Sequence, residues 1–167
     1  MIHIYYGNGK GKTSAAIGLG IRACGQDLKV VIAQFLKSDN SGEIKVIKNI
    51  SNFCTLESPQ KLPFYFQMND SQKLEYNDFA LTLFNNAKDF DGDVYILDEL
   101  LDAVQLNIIP LDYVVTFLKE NSSKKEIVIT GHSVIEEIFS CADYISEIKK
   151  IKHPYDKGYI ARRGIEY

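Results

Sequence analysis

Tyr5-Tyr6-Gly7-Asn8-Gly9-Lys10-Gly11-Lys12-Thr13 follows a short apolar run that starts at Ile2 and precedes a helix-forming run over 14–24. Strand, glycine-rich turn closing on Gly-Lys-Thr, then helix is the order of a triphosphate cradle. Glycines let backbone N–H groups approach phosphate oxygens, the lysine supplies a mobile positive charge, and the threonine hydroxyl can hold magnesium at the head of the helix. Gly7, Asn8, Gly9, Lys10, Gly11, Lys12, Thr13 and Ser14 are therefore the candidate contacts of ATP or GTP. The usual spacing G-x-x-x-x-G-K-[ST] puts its first glycine where Tyr6 stands, so this loop is one residue tighter. A glycine turn that merely joins a strand to a helix is the plainer alternative, and the flanking strand and helix weigh against it.

Outward from the loop, apolar runs bounded by turn residues recur at 2–6, 29–35, 53–56, 94–97 and 126–130, with helical patterns between most of them. That alternation predicts an α/β fold, a mostly parallel sheet covered by helices on both faces. Val30-Val31-Ile32-Ala33 and Ile127-Val128-Ile129 are continuously apolar, as strands buried on both faces are, and read as central. Leu74, Phe79, Leu83, Phe84 and Ala87 fall on helical spacing and predict a long amphipathic helix over 71–90, and Pro110 predicts a second one through Leu118. The chain loses periodicity at 39–42 and 58–63, which predicts loops. The second of these is long enough to shape a substrate pocket.

Val94-Tyr95-Ile96-Leu97 is followed directly by Asp98-Glu99. Behind a phosphate loop, a buried strand ending in carboxylates is the expected partner that completes a magnesium site, directly or through a bound water. Thr13, Asp98 and Glu99 are the candidate metal ligands. Asp102 follows Asp98 by four residues and could reach the same place if a helix begins there, although a turn of surface acid accounts for it equally well.

A chain of 167 residues suits one compact domain over 1–167, and a net charge of −3 offers no basic field for a nucleic-acid backbone. Nucleic acid is not an expected partner. Cys24, Cys54 and Cys141 are scattered, odd in number and lack a Cys-x-x-Cys pair, which argues against a disulfide framework and a zinc site and for reduced thiols among apolar neighbours. No signal-peptide pattern precedes the first strand, and no apolar run approaches the roughly 20 residues that span a bilayer. No membrane is expected, and the expected compartment is the cytoplasm.

Four segments taken together resemble the P-loop-type corrinoid adenosyltransferases, which transfer the 5′-deoxyadenosyl group of ATP to cob(I)alamin and related corrinoids. They are Gly7 to Thr13 with Ser14-Ala15-Ala16; Val31-Ile32-Ala33-Gln34-Phe35-Leu36-Lys37; Ile96-Leu97-Asp98-Glu99-Leu100; and the tail that opens Lys152-His153-Pro154-Tyr155-Asp156-Lys157-Gly158-Tyr159 and runs on through Arg162-Arg163-Gly164. The resemblance covers nearly the whole chain, and the tightened loop is itself typical of that family. It implies a homodimeric, RecA-like P-loop fold with ATP and magnesium at the loop, the corrinoid in a neighbouring cavity, and a flavoprotein as electron donor. It also implies roles in the reaction for Lys12 and for Phe64 and Phe66, which match the aromatic side chains that crowd the lower face of the corrinoid and help to remove its axial base. Many relatives carry tryptophan at the second of these positions. After the strand ending at Thr130 the family usually reads Thr-Gly-Arg, and here His132 takes the position of an arginine expected at phosphate. Arg162, in the tail, is a candidate contact for phosphate or for a corrinoid side chain, with a surface charge as the alternative. His3 reads as a packing residue of its strand and His153 as a residue that orients the tail.

An apolar aromatic wall has its own chemical logic, because excluding axial ligands from cobalt(II) stabilises the electron that must be added to make the cobalt(I) nucleophile. Read without the resemblance, Phe64-Tyr65-Phe66 is a core strand. Two other classes of function stay open at this point. A P-loop phosphotransferase or ATPase would need a base and a cationic finger, for which the sequence offers only Glu99 and Lys10. A non-catalytic module that binds nucleotide or corrinoid is the other.

Overall fold

The structure is a computed structural model that describes residues 1–38, 41–59, 61 and 63–165. Asp39, Asn40, Gln60 and Leu62 of the predicted loops, and Glu166 and Tyr167 of the tail, lie outside the described residues. Six strands, β1 (Ile2–Tyr6), β2 (Val30–Gln34), β3 (Phe53–Thr55), β4 (Val94–Asp98), β5 (Glu126–Gly131) and β6 (Tyr144–Glu147), form one sheet in the order β3-β2-β4-β5-β1-β6. Every neighbouring pair is parallel. The continuous apolar runs of β2 and β5 do lie inside the sheet.

Helices α1 (Lys12–Cys24), α2 (Gly42–Ile47), α3 (Asp70–Asp89), α4 (Leu100–Gln105), α5 (Leu111–Asn121) and α6 (Glu136–Phe139) cover both faces. Alternation along each strand divides the core in two. Val30, Ile32, Val94, Ile96 and Val128 pack with Ala16, Ile17 and Ala23 of α1 and with Ile44 and Ile47 of α2. Val31, Ala33, Tyr95, Leu97, Ile127 and Ile129 face the other way, against α3, α4, α5 and α6.

The long helix starts and ends within a residue of its sequence prediction, with a capping box in which Asn69 accepts from the Gln72 N–H at 2.9 Å and Gln72 accepts from the Asn69 N–H at 3.0 Å. Its buried stripe is Tyr76, Ala80, Leu83, Phe84 and Ala87, so the expected stripe is rotated: Leu74 faces solvent and Phe79 is only partly covered. Pro110 caps α5 from outside, where its missing N–H costs nothing. Two further corrections concern elements that periodicity does not reveal. Gly42 begins a short helix and does not prolong a loop, and β6 is a sixth strand, exposed at every residue and held at the sheet edge by its pairing with β1. Among the cysteines, Cys24 is buried while Cys54 and Cys141 are half-buried against the core, and all three are free thiols. His3 is a packing residue, stacked on Tyr144 and bonded to the Glu126 carboxylate at 2.5 Å.

Candidate active site

All four interior strands, β1, β2, β4 and β5, deliver polar residues at their carboxyl ends, the edge where open parallel sheets bind ligands. The loop after β1 turns through Gly7 at φ 110°, and a Cβ there would stand 2.6 Å from the Ile148 carbonyl oxygen. That same oxygen accepts the Gly9 N–H at 2.7 Å, and Asn8 accepts the Lys150 N–H at 2.9 Å. The tightened loop is thus braced by the chain that leaves β6. Its glycines are needed because backbone approaches backbone this closely.

Lys12 is buried and folded back, its ammonium donating to the Gly7 carbonyl at 2.8 Å and the Gly9 carbonyl at 3.2 Å, with His132 Nε2 at 3.4 Å. An ammonium can only donate, so Nε2 of His132 accepts. The ring proton then sits on Nδ1, which faces Asp102 Oδ2 at 3.2 Å.

Asp98, at the end of β4, is fully buried and takes four hydrogen bonds. Thr13 at 2.9 Å and Thr130 at 2.6 Å donate to Oδ1, and Gln34 at 3.0 Å and Lys37 at 2.7 Å donate to Oδ2. Burial alone would raise its pKa, but the Lys37 charge and the bonds from Lys37, Thr130 and Gln34 outweigh it and hold the carboxyl below its ordinary range. Lys37 also donates to Thr13 Oγ1 at 2.7 Å and lies 3.4 Å from Glu99 Oε1. Burial would lower the lysine's pKa, yet the charges of Asp98 and Glu99 push it up.

Glu99 turns out of the strand in the left-handed region, φ 61°, with its N–H donated to Thr130 Oγ1 at 2.9 Å. Burial, opposed by Lys37 but assisted by Asp102 and Asp98, pushes its pKa up to about 7. Asp102, the residue read as a possible surface acid, belongs to this cluster. It accepts the His132 N–H at 2.8 Å and the Ser133 hydroxyl at 3.1 Å, and a bond from Glu99 and the His132 contacts hold its carboxyl low against the effect of burial.

These groups surround a cavity of about 440 Å³ lined by residues 8–14 together with Lys37, Glu99, His132 and His153. The tail reaches its rim, where Lys10 donates to the Ile165 carbonyl at 3.0 Å. Gly7 underlies the loop, and Asp98 lies beneath the cavity floor, joined to it through Thr13 and Lys37. Phe64, Phe66 and Arg162 do not line this cavity. Arg162 lines a separate hollow in the tail. Phe64 precedes a single 3-10 turn (Tyr65–Gln67) and Phe66 lies within it, 69% and 77% exposed, with rings stacked at 5.5 Å and 14°. They are therefore not a core strand. Tyr65 between them anchors the turn, donating to Asn77 at 3.1 Å and packing on Tyr76.

For magnesium the donor set is suitable: the Thr13 hydroxyl and the carboxylates of Asp98 and Glu99 are hard oxygens, and they already gather around a cation, the Lys37 ammonium. Sequence reasoning did not assign Gln34, Lys37 or Thr130 to the site. The available signal was a polar residue closing an otherwise apolar central strand, Gln34 in β2 and Thr130 in β5.

Fold and site together define a P-loop nucleotide-binding α/β protein. The "cytoplasmic domain of EssC" superposes with a TM-score of 0.53 at 14% identity over 96% of this chain and 33% of that one, a likeness of fold. The family model "ATP:corrinoid adenosyltransferase BtuR/CobO/CobP" matches residues 1–167, so the chain belongs to the ATP:corrinoid adenosyltransferase family and is a transferase. A "Corrinoid adenosyltransferase" of Escherichia coli K12 is 33% identical across 100% of this chain and 85% of its own length. "Corrinoid adenosyltransferase CobA" of Salmonella typhimurium is 29% identical over the same shares. A corrinoid adenosyltransferase of Pseudomonas aeruginosa is 27% identical over 98% and 82%.

Proposed function

We propose that the cavity at the Gly7-to-Thr13 loop holds the triphosphate of ATP as a leaving group, while the cobalt(I) of a corrinoid attacks the ribose 5′-carbon. The cobalt lone pair forms the Co–C bond, the C5′–O bond breaks, and its electron pair leaves with inorganic triphosphate. The observation that carries this reading is the lining of that cavity by Lys12, Lys37 and residues 8–14, in a chain that matches the family from end to end. Among the described residues Lys12 has only neutral partners to surrender, two carbonyls and an imidazole nitrogen, and can turn to phosphate at little cost. Bound magnesium would neutralise charge on the departing triphosphate, held by Thr13, Asp98 and Glu99. His132, in contact with Lys12, stands where it can meet the same phosphates.

Phe64 and Phe66 form the apolar surface for the corrinoid. Their exposure as a stacked pair on an anchored turn supports this, since a solvated aromatic platform is unusual without a ligand. Arg162 contacts a corrinoid side chain from the tail. The protein works in the cytoplasm as a homodimer with a flavoprotein electron donor. No helix among the described residues is long and apolar enough to cross a membrane.

Purified protein with ATP, magnesium and chemically reduced cobalamin is expected to yield a light-sensitive cobalt–carbon bond and intact inorganic triphosphate. Release of ADP and phosphate in place of triphosphate would overturn the assignment.

A further inference from the structure

Lys37 lines the nucleotide cavity, yet its ammonium occupies the centre of the proposed cation site. It lies 2.7 Å from Thr13 Oγ1, 2.7 Å from Asp98 Oδ2 and 3.4 Å from Glu99 Oε1. Thr13 gives its proton to Asp98 Oδ1, so the hydroxyl lone pair is what faces Lys37. A magnesium ion would use that lone pair and the same carboxylate oxygen at about 2.0–2.1 Å. It would overlap the lysine nitrogen.

We propose that Lys37 is a resident placeholder for the divalent cation: its ammonium holds Thr13, Asp98 and Glu99 in the ligating arrangement in the ligand-free protein, and must be displaced before the metal enters. This rests on the reading of those three residues as the metal ligands. The incoming phosphates supply the displacement. Lys37 lines the same cavity as Lys12, and its side chain is 30% exposed on a flexible four-carbon arm, so the ammonium can move from the carboxylates to a phosphate oxygen without moving its backbone. The backbone is fixed. Leu36 is in the left-handed region, φ 56°, and its N–H is held by the Tyr76 hydroxyl at 2.5 Å, which aims Lys37 across the end of β4. Metal therefore enters with the nucleotide and not ahead of it, and Lys37 becomes a positioning residue for the triphosphate once it has moved.

Manganese(II), read by EPR on the full chain, tests this. Without nucleotide the protein is expected to bind manganese at least tenfold more weakly than with ATP present and no corrinoid. Lys37→Met, a neutral side chain of similar length, raises nucleotide-free manganese affinity at least tenfold, whereas Lys37→Arg leaves it at the wild-type level. Equal manganese affinity of the wild type with and without ATP overturns the proposal, whatever the fate of the variants. So does a folded Lys37→Met protein that binds manganese no better than wild type. If Thr13→Ala leaves ATP-dependent manganese binding unchanged, the assignment of the metal ligands has itself failed, and the placeholder falls with it. ATP-dependent binding that needs Thr13 but ignores Lys37 sinks the placeholder alone.

Discussion

Glu99→Gln is expected to make the ligand-free protein more stable at alkaline pH while impairing the site. Glu99 is only 14% exposed and shares its surroundings with Asp98 and Asp102, and its pKa rises from 4.5 to about 7. Because the folded pKa lies above the unfolded one, the stabilising contribution is complete below about pH 4.5. It is lost as pH rises through 7. At about 1.36 kcal/mol for each pH unit, the interval gives an upper figure of about 3.4 kcal/mol. Asp102 shifts in the opposite sense and draws part of that shift from its bond with Glu99, so the net expectation is about 2 kcal/mol at pH 8 and under about 1 kcal/mol at pH 5. Glutamine keeps the shape and cannot ionise. Urea unfolding of both proteins at the two pH values measures the difference directly, and manganese binding with ATP should fall in the variant. A Glu99→Gln protein that gains no more stability at pH 8 than at pH 5 would refute the electrostatic account of this residue.

Gly9→Ala places a Cβ 2.7 Å from the Ile148 carbonyl oxygen and 2.8 Å from its Cγ2, so the loop must shift; a loss of about 1–3 kcal/mol and at least tenfold weaker ATP binding are expected by thermal melts and calorimetry. Thr130→Val removes the hydroxyl that donates to buried Asp98 and accepts the Glu99 N–H, which should cost about 2–3 kcal/mol in denaturant unfolding. Double replacement of Phe64 and Phe66 by alanine should change stability by under about 0.5 kcal/mol, because both rings are exposed, yet abolish the four-coordinate cobalt(II) signal of bound corrinoid in the presence of ATP.

The architecture was legible where the chain repeats a period. β2 over 30–33 and β5 over 127–129 are apolar without interruption because both sheet faces are covered, and the fold followed from such runs alternating with helical ones. β6 carries no such mark: all four of its residues are exposed, and backbone pairing with β1 holds it in place without a buried face. The same limit applies at the site. Gly7 to Thr13 and Asp98-Glu99 announce themselves as local patterns, whereas the four-donor shell of Asp98 draws on residues 13, 34, 37 and 130, which only the sheet brings together. Leu36 contributes through a left-handed backbone that nothing in leucine predicts, since residues other than glycine, asparagine and aspartate seldom adopt it.

Of the three lysines that line the cavity, Lys12 and Lys37 are restrained by partners of different kinds, and that difference would order the binding events. Lys12 rests on carbonyls and an imidazole nitrogen, neutral acceptors that a phosphate oxygen outcompetes directly. Lys37 rests on Asp98 and Glu99, whose charges the nucleotide cannot satisfy. Taking Lys37 away leaves a buried carboxylate short of a cation, a state strongly disfavoured in a low-dielectric interior. Magnesium would resolve this by entering as the ammonium leaves. Nucleotide alone should therefore bind through Lys12 with modest affinity, and the full affinity should require the metal. Glu99 would add to the coupling, because the carboxylate that is unfavourable in the empty protein at neutral pH would become favourable once a divalent cation stood beside it. On that reading the site is least comfortable with nucleotide bound and no metal, and a divalent cation would relieve it.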